Sequence, residues 1–140
     1  MITSGITLGK DVPKDIHDVR MKKTRYAVFT IDDSGKEIVT TKVGSRDATY
    51  DKFIEEISIN DPCYIVFDFE YVDGSSISKL LLILWIPDIA KPRTKMLYSS
   101  SFDAFASVSE GYMRVPVNEA AGLENSEIIK YIKAHTSLKY

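Results

Sequence analysis

The most constraining feature of the sequence is an uninterrupted apolar run at residues 80–85, which reads Leu-Leu-Leu-Ile-Leu-Trp. Because neighbouring side chains of a β-strand point to opposite faces of the sheet, this run predicts a strand that is buried on both faces. Such a strand lies in the middle of a sheet, and it needs helices on each side to cover it. The run is too short to span a bilayer, which takes about 20 apolar residues.

Short helical and extended segments alternate along the rest of the chain. Helices are predicted to begin at Asp11 and to cover residues 49–57, residues 92–111 and residues 124–135. Residues 25–31 pair with residues 36–43 in one predicted hairpin, residues 63–72 pair with residues 78–86 in a second, and residues 112–117 form a short strand. We therefore expect an α/β fold of the α+β type, with a central mixed sheet of about five strands flanked by helices on both faces.

Length and charge limit the kinds of function that the chain can have. Its 140 residues suit one domain, which we assign to residues 1–140 with a flexible segment at residues 1–10. The formal net charge of −2 gives no general attraction to nucleic acid, which is not an expected partner. The single cysteine, Cys63, lies in an apolar run and is expected to be a small buried group. The N-terminus shows no secretory signal, so we expect an intracellular monomer.

An enzyme is the alternative from another class of function. His17 and His135 are the only histidines, and we find no metal-ligand cluster, phosphate-binding glycine loop or nucleophile elbow, so we expect no cofactor or metal. Asp68 and Glu70 lie two positions apart in a predicted strand, which puts both carboxylates on one face. Polar residues near the turn at a strand end explain this pair more simply. A small enzyme with a carboxylate site remains a remote alternative.

The predicted helix at residues 93–110 has an unusual outer face. On a helical wheel, its inward side collects Leu97, Tyr98, Ser101, Ala104, Phe105 and Val108. Its outward side collects Met96, Ser99, Ser100, Asp103, Ala106, Ser107 and Glu110. A methionine among small residues is adaptable, whereas a solvated face usually carries long charged residues, and the cations Arg93 and Lys95 oppose the helix dipole. The pattern predicts a binding surface, and an ordinary surface helix would explain it equally well.

The segment from Trp85 to Ala104 resembles the signature of the ADF/cofilin family. That signature runs Trp-x-Pro-Asp/Glu-x-Ala, then two basic residues two positions apart, then Lys-Met-x-Tyr-x-Ser-Ser-x-Asp-Ala. Further matches lie at Ser4 and Gly5 and at residues 64–71, so the resemblance spans essentially the whole chain. It implies a single ADF-homology (cofilin-like) domain that is not an enzyme. Such a domain binds actin monomers, with a preference for the ADP form, and promotes filament disassembly.

The resemblance also implies two actin-binding surfaces. The monomer-binding surface comprises Ser4, Gly5, Arg93, Lys95, Met96, Ser99, Ser100 and Asp103. Ser4 matches a serine that is phosphorylated in the family, and the added negative charge would weaken the contact with actin. The filament-binding surface uses a basic-x-basic pair, of which only Lys79 is present because Ile77 replaces the other cation. Lys130 and Lys133 of the last helix belong to the same surface, and filament binding and severing are expected to be weaker than is typical.

Membrane lipid is a further partner that the resemblance implies. Family members bind phosphatidylinositol bisphosphate through surface cations, and Lys22, Lys23, Arg25, Arg93 and Lys95 could supply them. Solvated charges beside a strand explain the first three equally well. Family members act on the cytoskeleton in the cytoplasm. A coactosin-like module, which shares the fold and binds filaments without binding monomers, is the alternative within the same class of protein.

Overall fold

A six-stranded mixed sheet forms the middle of the computed structural model, which describes residues 5–136. In chain order the strands are β1 (Thr7–Leu8), β2 (Tyr26–Ile31), β3 (Glu37–Gly44), β4 (Cys63–Asp73), β5 (Ser75–Trp85) and β6 (Met113–Val117). Their order across the sheet is β1-β3-β2-β4-β5-β6. The helices are α1 (Val12–Arg20), α2 (Tyr50–Glu56), α3 (Pro92–Ser101) and α4 (Asn125–Thr136), with 3-10 turns at Phe102–Phe105 and Ala120–Leu123. Ser4 lies outside the described residues.

The apolar run of residues 80–85 lies within β5, which pairs with β4 in antiparallel and with β6 in parallel orientation. Leu81 and Ile83 pack on one face in a core cluster that contains the buried residues of α2 and α4. Leu82 packs on the other face in a second cluster, which contains the buried residues of α1 and α3. The predicted arrangement of one mixed sheet between two layers of helices is therefore confirmed, with six strands where about five were expected.

The additional strand is β1, which follows the N-terminal residues. Thr7 and Leu8 pair in parallel with Glu37 and Ile38 of β3. The Gly9 N–H also donates a hydrogen bond of 2.7 Å to the carbonyl oxygen of Ile38. This part of the segment that was expected to be flexible is therefore tied to the sheet. Two residues are too few to show a period-two pattern, so the pairing left no signal in the sequence.

The predicted helix from Pro92 to Gly111 is wrong in length, because α3 ends at Ser101. The chain then continues as the 3-10 turn Phe102–Phe105. The rings of Phe102 and Phe105 pack on Tyr64 of β4, with centroids 5.9 and 4.8 Å from it. The Tyr64 hydroxyl donates a hydrogen bond of 2.6 Å to the carbonyl oxygen of Tyr98, in the last turn of α3. Packing on Tyr64 thus accompanies the change from α-helix to 3-10 turn, which the apolar spacing alone did not predict.

Cys63 begins β4 and is buried, as predicted. Its burial raises the pKa of the thiol to about 12, so little thiolate forms near neutral pH. None of the helices within residues 5–136 is long and apolar enough to cross a bilayer. Within the same residues, His, Cys, Asp and Glu side chains form no group of three that could hold a metal ion.

Candidate interaction surface

The start of α3 carries positive charge where a helix usually carries negative charge. The helix has Pro92 in its first turn, no acidic residue there, and no side-chain hydrogen bond from its N-cap residue, Lys91. Arg93 is exposed, and the Lys95 ammonium donates a hydrogen bond of 3.2 Å to the carbonyl oxygen of Asp88. Neither Arg93 nor Lys95 forms an ion pair with any described residue. Because the helix dipole is positive at this end, the two cations are poorly neutralised by the protein itself.

The outer face of α3 extends from this charged turn. Met96 is 71% exposed, and Ser99, Ser100 and Asp103 are exposed beside it. The Ser100 hydroxyl donates a hydrogen bond of 3.2 Å to the carbonyl oxygen of Leu97, so it folds back on the helix rather than projecting outward. Met96 is therefore the one long apolar side chain among these exposed residues. The predicted outward residues are confirmed as exposed, although Asp103 lies in the 3-10 turn and not in the α-helix.

The inward residues of this segment fix its position on the sheet. Tyr98, Ser101 and Phe105 are buried, while Leu97, Ala104 and Val108 are half-buried. The Tyr98 hydroxyl accepts a hydrogen bond of 3.0 Å from the backbone N–H of Ile31 in β2. The 3-10 turn after α3 also contacts β1. Gly5, which is exposed at a φ of +76°, precedes that strand, so β1 links the N-terminal segment to the end of the same helix.

A second surface lies at the turn between β4 and β5. Alternation along β5 puts Lys79 and Ile77 on the sheet face that α4 covers, with Leu81 and Ile83. The Lys133 ammonium of α4 lies 3.5 Å from an oxygen of Asp73, at the end of β4. The structure therefore brings the predicted filament-binding cations of β5 and α4 to one side of the molecule.

Both α4 cations of this second surface have an acidic neighbour. Lys133 faces Asp73, and the Lys130 ammonium lies 3.5 Å from a carboxylate oxygen of Glu127. These side chains are about half exposed or more, so each ion pair is weak. Each pair still offsets the positive charge that an acidic partner would meet. Ile77, at the position of the missing cation, is half-buried.

Asp68 is the polar residue whose role the sequence did not indicate. It lies in the middle of β4 and its side chain is fully buried, so the interpretation as a polar residue near the turn at the strand end was wrong. Its carboxylate accepts hydrogen bonds of 2.8 Å from Lys22, 3.1 Å from Arg46 and 2.6 Å from Ser78. Burial alone would raise the pKa of Asp68, but these three donors outweigh it and hold the pKa below its usual value.

The neighbouring acid, Glu70, is exposed and pairs with Arg25 at 3.1 Å and Arg46 at 3.7 Å. Asp68 and Glu70 thus belong to one network of ion pairs. Lys22 and Arg25 form ion pairs with the acids of this network, and both are among the cations suggested above for a lipid headgroup. An acid within an apolar strand was the one signal of this network in the sequence. The residues that pair with it are distant in sequence, so they could not be identified from the sequence.

The fold and the basic start of α3 together are those of an ADF-homology domain. A family profile described as "Cofilin/tropomyosin-type actin-binding protein" matches residues 5–133. Actophorin from Acanthamoeba castellanii is 33% identical over 126 residues, which are 89% of this chain and 91% of actophorin. The chain belongs to the ADF/cofilin family of actin-binding proteins.

Solved structures agree with this assignment. The solution structure of ADF/cofilin from Trypanosoma brucei is 42% identical with a TM-score of 0.77, and the match covers 96% of this chain and 99% of that one. Human coactosin-like protein has a TM-score of 0.76 at 20% identity, with 96% and 93% of the two chains covered. At that identity the second likeness concerns the fold alone. Fold therefore does not separate a monomer-binding member from a coactosin-like one.

Proposed function

We propose that this protein binds actin monomers, preferring the ADP form, and promotes the disassembly of actin filaments. Binding uses the start and outer face of α3, with Arg93, Lys95 and Met96 at its centre and Ser99, Ser100 and Asp103 around them. The observation that carries the proposal is the pair of cations at the helix start, which have no ion-pair partner among the described residues and which oppose the helix dipole. An acidic partner surface would supply the charge that the protein itself lacks there.

The neighbours of these cations support the same proposal. Met96 is long, unbranched and polarisable, so it can adapt to an irregular apolar surface. The exposed serines of α3 are short, which lets a partner come close to the helix. A large interface is built around a few such anchors, while its small residues contribute shape rather than energy. Binding would withdraw Met96 from water and bring an acidic group to Arg93.

The N-terminal segment completes the proposed monomer-binding surface. Ser4 and Gly5 match the family positions, and the strand that follows them contacts the 3-10 turn after α3. Phosphorylation of Ser4 would add about −1.5 to −2 charges to a segment that the resemblance assigns to the same binding surface. We therefore propose that this modification weakens monomer binding. Arg93 and Lys95 could also meet the phosphates of phosphatidylinositol bisphosphate, which would then compete with actin.

Filament binding and severing are proposed to be weaker than is typical of the family. Ile77 supplies no charge at a position where a cation is expected, and Lys130 and Lys133 each have an acidic neighbour. Rim charges of this kind influence mainly the association rate and its dependence on salt. The protein would then act on the cytoskeleton, in the cytoplasm, chiefly through the monomer pool.

Three titrations with the purified protein test this function and its alternative. Monomeric ADP-actin, monomeric ATP-actin and filamentous actin are each titrated with the protein under the same salt conditions. We expect binding to both monomers, tighter for the ADP form, and weaker binding to filaments than a typical family member shows. Binding to filaments with no binding to either monomer would instead establish the coactosin-like alternative.

A further inference from the structure

An exposed isoleucine stands at the entrance to α3. Ile89 is 72% exposed, and with Met96 it is one of two large apolar side chains on the surface between β5 and the end of α3. The other exposed large apolar residues among those described belong to other segments of the chain: Met21, Val43, Ile59 and Val72. A single exposed isoleucine needs no explanation, because much of any protein surface is apolar. Ile89 differs from such a residue because hydrogen bonds hold the backbone of its turn and because that turn is continuous with the proposed monomer-binding surface.

The backbone on both sides of Ile89 is held by hydrogen bonds. The Asp88 N–H donates to the carbonyl oxygen of Asn118 at 2.9 Å, which ties the turn to the chain that follows β6. The Ala90 N–H donates to the carbonyl oxygen of Pro87 at 3.0 Å, and this bond closes the turn. Lys95 holds the Asp88 carbonyl from the helix side at 3.2 Å. These bonds hold the backbone of the turn that carries Ile89, which lowers the backbone entropy lost when a partner covers it.

The turn that carries Ile89 is continuous with the proposed monomer-binding surface. Ile89 lies three residues before Pro92, the first residue of α3, and Arg93 and Met96 follow within the first turns of that helix. The Lys95 ammonium belongs to that surface and also binds the carbonyl oxygen next to Ile89 in sequence. In sequence, Ile89 and Met96 thus stand on either side of the exposed Arg93, and apolar contacts near a charge pair can shield it from water.

We infer that Ile89 is a further contact residue of this surface and is buried against an apolar patch of the actin monomer. The inference rests on the proposed function, because it names the same partner and extends the same site. It adds an apolar anchor on a turn, separate from the helix residues that the signature supplies. Removing the exposed side chain should change affinity and leave folding unaffected, because Ile89 belongs to neither core cluster.

The test is a titration of monomeric ADP-actin with the wild type and the variants Ile89→Ser, Ile89→Met and Val72→Ser. We expect binding to weaken about ten-fold in Ile89→Ser, which is the size expected for loss of a buried aliphatic side chain. Ile89→Met keeps the apolar area and should stay within about two-fold of the wild type. Val72, 79% exposed near the opposite end of β5, provides a matched polar substitution that should leave affinity unchanged.

Thermal unfolding confirms that each variant is folded. An Arg93→Ala/Lys95→Ala variant distinguishes failure of the Ile89 proposal from failure of the proposed function. Wild-type affinity in Ile89→Ser, with weaker binding in the double variant, would overturn the role of Ile89 and leave the proposed function standing. Equal losses in Ile89→Ser and Ile89→Met would also overturn it, because the effect would then not depend on apolar area. A wild-type protein that does not bind monomers would overturn both.

Discussion

The Lys22 ammonium lies 2.8 Å from an oxygen of the fully buried Asp68 carboxylate. Lys22 has a φ of +63° and follows α1, where its N–H donates to the carbonyl oxygen of Val19 and the N–H of Lys23 donates to that of Asp18. This is the Schellman arrangement that ends many helices, with a lysine at the position where glycine is usual. The left-handed backbone is unfavourable for lysine by about 1–2 kcal/mol. The ion pair with Asp68 compensates for that strain and joins the end of α1 to β4.

Loss of the Asp68 charge should destabilise the protein. Asp68→Asn removes the buried negative charge that pairs with Lys22 and Arg46, and we expect the free energy of unfolding at pH 7 to fall by about 2 kcal/mol. The folded-state pKa lies below the usual 3.8, so the stabilisation is present above that value and is lost as the pH falls through the folded-state pKa. Urea unfolding between pH 2 and pH 7 measures both effects.

A matched control for that substitution is Asp33→Asn, at an exposed position in the turn between β2 and β3. It should leave the stability at pH 7 unchanged within about 0.5 kcal/mol. The stability difference between the wild type and Asp68→Asn should shrink in acid, because both chains are then uncharged at residue 68. A difference that stays constant down to pH 2 would show that packing, and not the charge, makes Asp68 important.

Reversal of the charge on Arg93 should separate folding from binding. Arg93→Glu places an acid in the first turn of α3, where the helix dipole favours it, so the free energy of unfolding should rise by about 0.5 kcal/mol. The same change should weaken binding to monomeric actin by more than about ten-fold, because a cation that meets an acidic partner becomes an anion. Chemical unfolding and a monomer titration measure the two effects. Lys52→Glu, in α2 on the other face of the sheet, should leave the affinity unchanged.

A new cation on β5 should strengthen filament binding. Ile77→Lys restores the missing member of the basic-x-basic pair, and we expect about three-fold tighter co-sedimentation with filaments at low salt, with a smaller gain at high salt. Affinity for monomers should not change. Ser76→Lys adds the same charge on the opposite face of the hairpin and serves as the control. Equal gains in both variants would mean that net charge, rather than this surface, attracts the filament.

A negative charge at Ser4 should weaken monomer binding. Ser4→Glu imitates part of the charge of a phosphate, and we expect at least about a five-fold loss of affinity for monomeric actin, since like charges would face each other in the complex. Ser4→Ala keeps the segment small and neutral, so its affinity should match that of the wild type. Tight binding of both variants would refute regulation at this position.

Much of this fold could be predicted from the sequence, because the patterns that indicate its strands and helices are local. The apolar run of β5 indicated both its central place and its cover of helices, and the alternating segments gave the two hairpins. The small β1 and the early end of α3 depend on contacts between distant parts of the chain. In particular, Tyr64 packs on Phe102 and Phe105 and binds the carbonyl oxygen of Tyr98. A contact between residues so far apart in the chain leaves no pattern in the local sequence.

The candidate surface likewise has parts that the sequence predicted and parts that only the structure shows. The outward Met96 and the cations of α3 follow from helical spacing and from the signature, and the structure has Met96 and Arg93 exposed and Lys95 half-buried. The network around Asp68 unites residues 22, 25, 46, 68 and 78, and only the folded chain brings them together. Ile89 was visible only as an ordinary residue within the signature, because its exposure depends on how the turn before α3 is tied to the chain after β6.

Titration of monomeric ADP-actin with the wild type and with Arg93→Ala/Lys95→Ala tests whether the cations at the start of α3 bind the monomer. The wild type should bind, and the double variant should bind at least about ten-fold more weakly while staying folded, because neither residue belongs to a core cluster. Equal affinity of the two proteins for the monomer would contradict the account, because the unneutralised cations at the start of α3 would then have no part in binding.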